Sequence, residues 1–274
     1  MKIKFDDRLE KYLFFFVVGY SLFLCILKVI DNLGTDAGAL EYLSVLTNLF
    51  FIVIPLIIAY KLPWEKKAIQ FPKMEMHMAF AFLGVFIGLD VLTRINPDLI
   101  IPALRTGPLL RSIYPEASIN PRAILRFLSW PILILLFVLA RKQSLETIGI
   151  TLKNFKNSMI ALIMPFAYLL VCAVLSQISA RSIGVIALAS LIVGISEELI
   201  YRGFPIFRLE PLGEGAAVVI TGVLFAAMHM FEGWIGTSLA ILPSGLGWGL
   251  ISLKTRNIFP LILLHMFLDV VGVL

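Results

Sequence analysis

About nine stretches of this chain are mostly apolar and roughly twenty residues long, and they leave little choice of fold. They lie near residues 12–30, 40–60, 76–94, 123–140, 158–178, 182–208, 214–231, 235–253 and 258–274. A helix of about 20 residues crosses the hydrocarbon core of a bilayer. Inside lipid every backbone N–H and C=O must be bonded within the protein, so only helices or closed barrels can span. No run alternates in the way a barrel strand requires. The expected fold is therefore all-α, a polytopic transmembrane helical bundle of about 8–9 spans, and at 59% hydrophobic against 15% charged residues a soluble domain is excluded.

A net charge of +5 is not enough to point to nucleic acid, because the basic residues sit in short connections between apolar runs. They act instead as a topology signal. With the N-terminus inside, 16 of the 23 Lys and Arg fall on the inner side, and five of the remaining seven lie in or within a few residues of one long loop. The expectation is a multi-pass cell-membrane protein with a cytoplasmic N-terminus and the lipid bilayer as its surroundings. No small-residue cleavage site follows Tyr12 to Leu27, which reads as a first span rather than a removable signal. Cys25 and Cys172 fall within spans and lack metal-ligand or redox spacing.

The loop from Ile95 to Pro121 contains five prolines and cannot be one helix; it reads as an interfacial or partly re-entrant segment, with a substrate-contacting cap as the alternative. Asp90 and Arg94 just before it are four apart and read as a local pair. The polar linker Arg141 to Asn157 then divides the chain into an N-terminal transmembrane region, 1–156, and a motif-bearing region, 157–274. In the front half only Asn48, Pro55 and His77 suggest chemistry, and none has a partner at useful spacing.

The back half carries charges where lipid should forbid them. Glu197, Glu198 and Arg202 interrupt an apolar run, Phe225 and His229 close the next one, and His265 and Asp269 stand one turn apart near the C-terminus. On a helix Glu198 and Arg202 share a face, while Glu197 is rotated by about 100° and left without that partner. The turn Glu210-Pro211-Leu212-Gly213-Glu214-Gly215 reverses the chain. At 1.5 Å per residue Glu197 and His229 then sit level, about 20 to 24 Å along neighbouring helices, with His265 and Asp269 roughly 14 to 20 Å deep. Gly222, Ala226 and Ala227, together with Gly245, Gly247 and Gly249, are expected to let the helices meet closely. These C-terminal helices would form an intramembrane site for activating water. Glu197 is the candidate base and His229 orients the water; a neutral His265 and a protonated Asp269 are oxyanion donors, and Phe225 excludes bulk water. The competing arrangement is a zinc site built from Glu197, His229, His265 and Asp269, against which stands the lack of HExxH or a cysteine ligand.

Three ordered motifs carry a resemblance. Glu197-Glu198-Leu199-Ile200-Tyr201-Arg202 fits EExxxR, Phe225-Ala226-Ala227-Met228-His229 fits FxxxH, and His265-Met266-Phe267-Leu268-Asp269 fits HxxxN or HxxxD. In these the chain resembles the CPBP intramembrane proteases, a group that includes CAAX prenyl endopeptidases and bacteriocin-processing or abortive-infection (Abi) members. The resemblance covers roughly residues 180–274. It implies a membrane endopeptidase of glutamate type without a cofactor, in which Glu197 and His229 activate water, His265 and Asp269 serve the oxyanion, and Glu198 and Arg202 support them. The implied partner is a membrane-associated peptide or protein, in CAAX-processing members a prenylated one. Those members of eukaryotes carry Asn at the last motif position, where this chain has Asp269. Alternatives from other classes are a non-catalytic membrane immunity or adaptor protein and an ion-coupled transporter, for which inverted repeats are expected and none is visible.

Overall fold

The computed structural model describes residues 8–33, 43–64, 71–95, 121–176, 179–232 and 235–273. The loop reading of 95–121 and the side chains of Asp90 and Arg94 lie outside what it describes. Every regular element among the described residues is helical. Helix α1 is Arg8–Asn32; a π-helical turn, Leu49–Val53, leads into α2, Ile54–Lys61; α3 is Lys73–Ile95 and α4 is Pro121–Ala140. After a short 3-10 turn come α5, Phe155–Ser176, and α6, Ala180–Glu198. A second π turn, Leu199–Gly203, joins α6 to α7, Phe204–Leu209; then follow α8, Glu214–Met228, α9, Ile235–Thr255, and α10, Phe259–Val273. Three helical stretches, Arg8–Asn32, Phe155–Ser176 and Ser182–Leu212, are long and apolar enough to cross a membrane. Large apolar side chains such as Phe15, Phe23, Ile163 and Leu170 remain on the outer faces, as a helical membrane bundle requires.

Both π turns have a cause that is written in the sequence. Pro55 follows the first and Pro205 the second. Proline has no N–H to give, and its ring collides with the carbonyl four residues earlier, so the ladder cannot close normally at Phe51 or Tyr201. Helix α9 donates to one carbonyl in each turn. Trp248 Nε1 donates to Phe51 O at 3.0 Å, and Ser252 Oγ donates to Arg202 O at 3.0 Å. Trp248 and Ser252 are one turn apart on the same helix face.

Helix α9 is the centre of the packing: α8, α1, α2 and the first π turn all lie against it, while α10 packs on α6 and α5. Small residues set the closest approaches, as the glycine stripe predicts. A Cβ on Gly222 would come within 2.9 Å of the Gly245 carbonyl carbon, and one on Gly247 within 2.8 Å of Ile52. Gly249 faces Val218. Ala227 is a correction to that expectation: it is exposed, because it lies on the face of α8 turned away from α9. Gly213, at φ 108, makes the reversal between α7 and α8, a conformation that only glycine takes without strain.

Two buried charge clusters tie the front of the chain to the back, and a third pair lies within the back. Glu10 receives Lys254 Nζ at 2.5 Å and the Tyr60 hydroxyl at 2.6 Å. Glu75 receives Arg208 Nε at 3.0 Å and Arg141 Nη2 at 3.1 Å, and Gln143 donates to it at 3.0 Å. Arg256 pairs with Glu210. In the sequence Arg208, Lys254 and Arg256 count as inner-side surface charges; in the fold all three are buried and paired. His77, two residues from Glu75, is exposed and belongs to none of these clusters.

Candidate active site

The second π turn sits directly after the paired glutamates, and the two carboxylates part there. Glu198, fully buried, accepts from Arg202 Nη1 at 3.0 Å. The same oxygen, Oε1, also accepts from His265 Nδ1 at 3.0 Å. Because a carboxylate only accepts, Nδ1 of His265 must carry the proton. Glu198 thus has a second task beyond the expected ion pair, since it sets the tautomer and rotation of an imidazole on another helix.

The other ring nitrogen, Nε2, points at the remaining acids. Glu197 Oε2 lies 3.7 Å from it and Asp269 Oδ1 3.8 Å. Glu197 Oε2 is buried and has no hydrogen-bond partner among the described residues; the same holds for Glu198 Oε2 and for Nε and Nη2 of Arg202. The close approach of α6 to α10 depends on Gly194, where a Cβ would stand 3.1 Å from Ile262 O and 3.3 Å from the Cβ of His265.

Phe225 has a larger part than shielding from water. Its ring lies under the Arg202 guanidinium, 3.8 Å from Cζ to centroid, in cation–π geometry. It is also 4.6 Å from the His229 ring and 6.3 Å from the His265 ring. His229 ends α8, and its Nδ1 donates to Phe225 O at 2.8 Å, so in a neutral ring Nε2 carries the lone pair. All seven residues singled out in the three motifs therefore meet in one cluster. Both glutamates lie within 4 Å of the His265 ring, and the His229 ring packs on Phe225.

Sequence reasoning passed over Trp248, Ser252, Tyr201 and Gly194. Trp248 is 5.4 Å from the His265 ring and 5.7 Å from Arg202 Cζ, and Tyr201 meets Phe225 edge-on at 5.3 Å. For Trp248 a signal was present: it is a large aromatic set directly between Gly247 and Gly249. Among the described residues no group of three His, Cys, Asp or Glu side chains is arranged to hold a metal ion.

Acids, imidazoles and a guanidinium gathered between apolar helices define the class: a helical membrane protein with an internal cluster of ionisable side chains. Residues 179–271 match the family model of the type II CAAX prenyl endopeptidase Rce1-like proteins, so this segment is similar to the CAAX-type protease family. The match contains all three motifs and stops short of the front half. No curated protein and no solved structure matches the chain.

Proposed function

We propose that this chain is an intramembrane endopeptidase that hydrolyses a peptide bond in a membrane-associated peptide or protein, with prenylated C-terminal peptides as the first substrate class to test. The observation that carries the reading is Glu197 Oε2, a buried carboxylate oxygen without a hydrogen bond, 3.7 Å from His265 Nε2. A single water can bond to both atoms at that separation. Glu197 removes a proton from this water as its oxygen attacks the carbonyl carbon. The resulting oxyanion is met by donors, the C–N bond breaks, and the proton held by Glu197 passes to the leaving amine. His229 orients the water from the Phe225 side.

The geometry changes one expectation within this mechanism. A neutral His265 spends its only N–H on Glu198, so an oxyanion role for Nε2 needs a proton on both ring nitrogens. Charge balance then suits the cluster: Arg202 and His265 offset Glu197 and Glu198, and Asp269 stays uncharged as a second donor. The reaction as written uses no cofactor, and zinc determination on the assayed samples tests the alternative ligand set. The bilayer is the medium, with the N-terminus on the cytoplasmic side.

Glu197→Gln keeps the volume and removes the base. The test is cleavage of a farnesylated CAAX peptide by purified full-length protein in detergent, with and without chelator. Turnover should disappear while folding and peptide binding persist. Wild-type turnover in Glu197→Gln would sink the assignment, and a non-catalytic adaptor would bind such peptides without cleaving them.

A further inference from the structure

We propose that Trp248 is a positioning residue for His265, and that the first π turn, in the part of the chain outside the family match, holds it in place. The proposal rests on His265 belonging to the reacting site. The chain of contacts starts at Pro55, which cannot bond to the carbonyl four residues before it. That carbonyl, Phe51 O, instead takes the indole N–H of Trp248 at 3.0 Å. Trp248 is 1% exposed, and Gly247 beside it seats the backbone against Ile52 and Val17, so neither its ring nor its helix has room to shift.

The indole in turn limits the imidazole. The bond from Nδ1 to Glu198 selects the orientation of the His265 ring, but a small pivot by coupled rotation about its two side-chain torsions keeps that bond within reach. Such a pivot would swing Nε2 away from Glu197 and Asp269. Trp248, with centroids 5.4 Å apart and planes at 50°, covers one side, and the glycine at 194 brings α6 against the Cβ of His265. Only when both are present is Nε2 confined to the space facing the two acids. A displacement of about 1 Å in a reacting group can cost on the order of a hundredfold in rate.

The same face of α9 carries Ser252, which bonds the second π turn at Arg202 O. One helix face therefore reads both proline-induced turns, one in each half of the chain. This explains how a front half without motif residues contributes to the site.

The test replaces Trp248 by 3-benzothienylalanine, which keeps the shape and removes only the N–H, and separately makes Trp248→Phe. Full-length protein is labelled with 15N-histidine; only three histidines are present, so the ring signals are assigned with His77→Gln and His229→Gln. In wild type the His265 ring should give one sharp set of signals. In both variants that set should shift or broaden while His77 and His229 stay in place. Cleavage of the farnesylated peptide is followed on the same samples. A fall in kcat of about tenfold with KM within twofold is expected for the benzothienyl protein. Unchanged His265 signals in that protein overturn the proposal, as do equal shifts at all three histidines, which would mark general loosening. If wild type cleaves nothing, the peptidase reading fails, and the histidine signals still decide the positioning role.

Discussion

At Glu198 one oxygen accepts from two donors, and this sets what its removal should do. Glu198→Ala leaves Arg202 buried without the carboxylate that accepts from it and removes the acceptor of His265 Nδ1. Breaking a buried pair costs about 3–5 kcal/mol, so the variant should show a lower Tm and poor yield before any loss of turnover is measured. Well-folded, inactive Glu198→Ala beside active Glu197→Gln would exchange the two roles. Asp269 makes the opposite kind of prediction. A carboxyl donates only while protonated, whereas an amide donates at every pH. Asp269→Asn should therefore keep activity and extend it to higher pH, where wild type declines, while Asp269→Ala should lose at least about tenfold. The check is a pH–rate profile of all three proteins with metal content measured alongside. Bound zinc that disappears together with activity in Asp269→Asn would favour the metal mechanism.

At the scale of the helices, the site is a product of close approach. Helices α6 and α10 can bring Glu197, Glu198 and His265 together because the glycine at 194 has no side chain where α10 passes. Any Cβ there would meet the Ile262 carbonyl, and backbone cannot yield as a side-chain tip does. Gly194→Val should separate the helices by a fraction of an ångström, enough to lengthen the Glu198–His265 bond. Turnover should fall by about tenfold or more while helical content by circular dichroism stays near wild type. Unaltered turnover in a well-folded Gly194→Val protein would show that this contact does not set the site. The π turns act at the same scale. Each is produced locally by a proline, and each becomes useful only because α9 brings a donor to it.

Over the whole molecule, the division at residue 156 separates the motifs from the rest, and buried contacts cross it. Trp248, Lys254 and Arg208 all find their partners in the first half, at Phe51, Glu10 and Glu75. A fragment spanning 157–274 would leave one buried donor and two buried cations without them. It should fail to give monodisperse protein in detergent, and co-expression of 1–156 should restore both folding and turnover. A well-folded, active C-terminal fragment would contradict this.

The sequence by itself determined the class of fold, because apolar length and the need to satisfy backbone groups in lipid leave few solutions. It also marked the seven motif residues, since charge is costly in a membrane span, and it contained the prolines that make the π turns. What lay beyond it were relations between helices. Counting residues can place Glu197 level with His229, but a helix's rotation about its axis is settled by packing, and packing turned His265 toward the glutamates. For the same reason Glu75, Arg208 and Lys254 read as ordinary charges near span ends until their buried partners appear. Trp248 is the clearest case. Its position among glycines was visible, but its two contacts, Phe51 O and His265, lie 197 and 17 residues away along the chain, and only the tertiary structure brings them to one side chain.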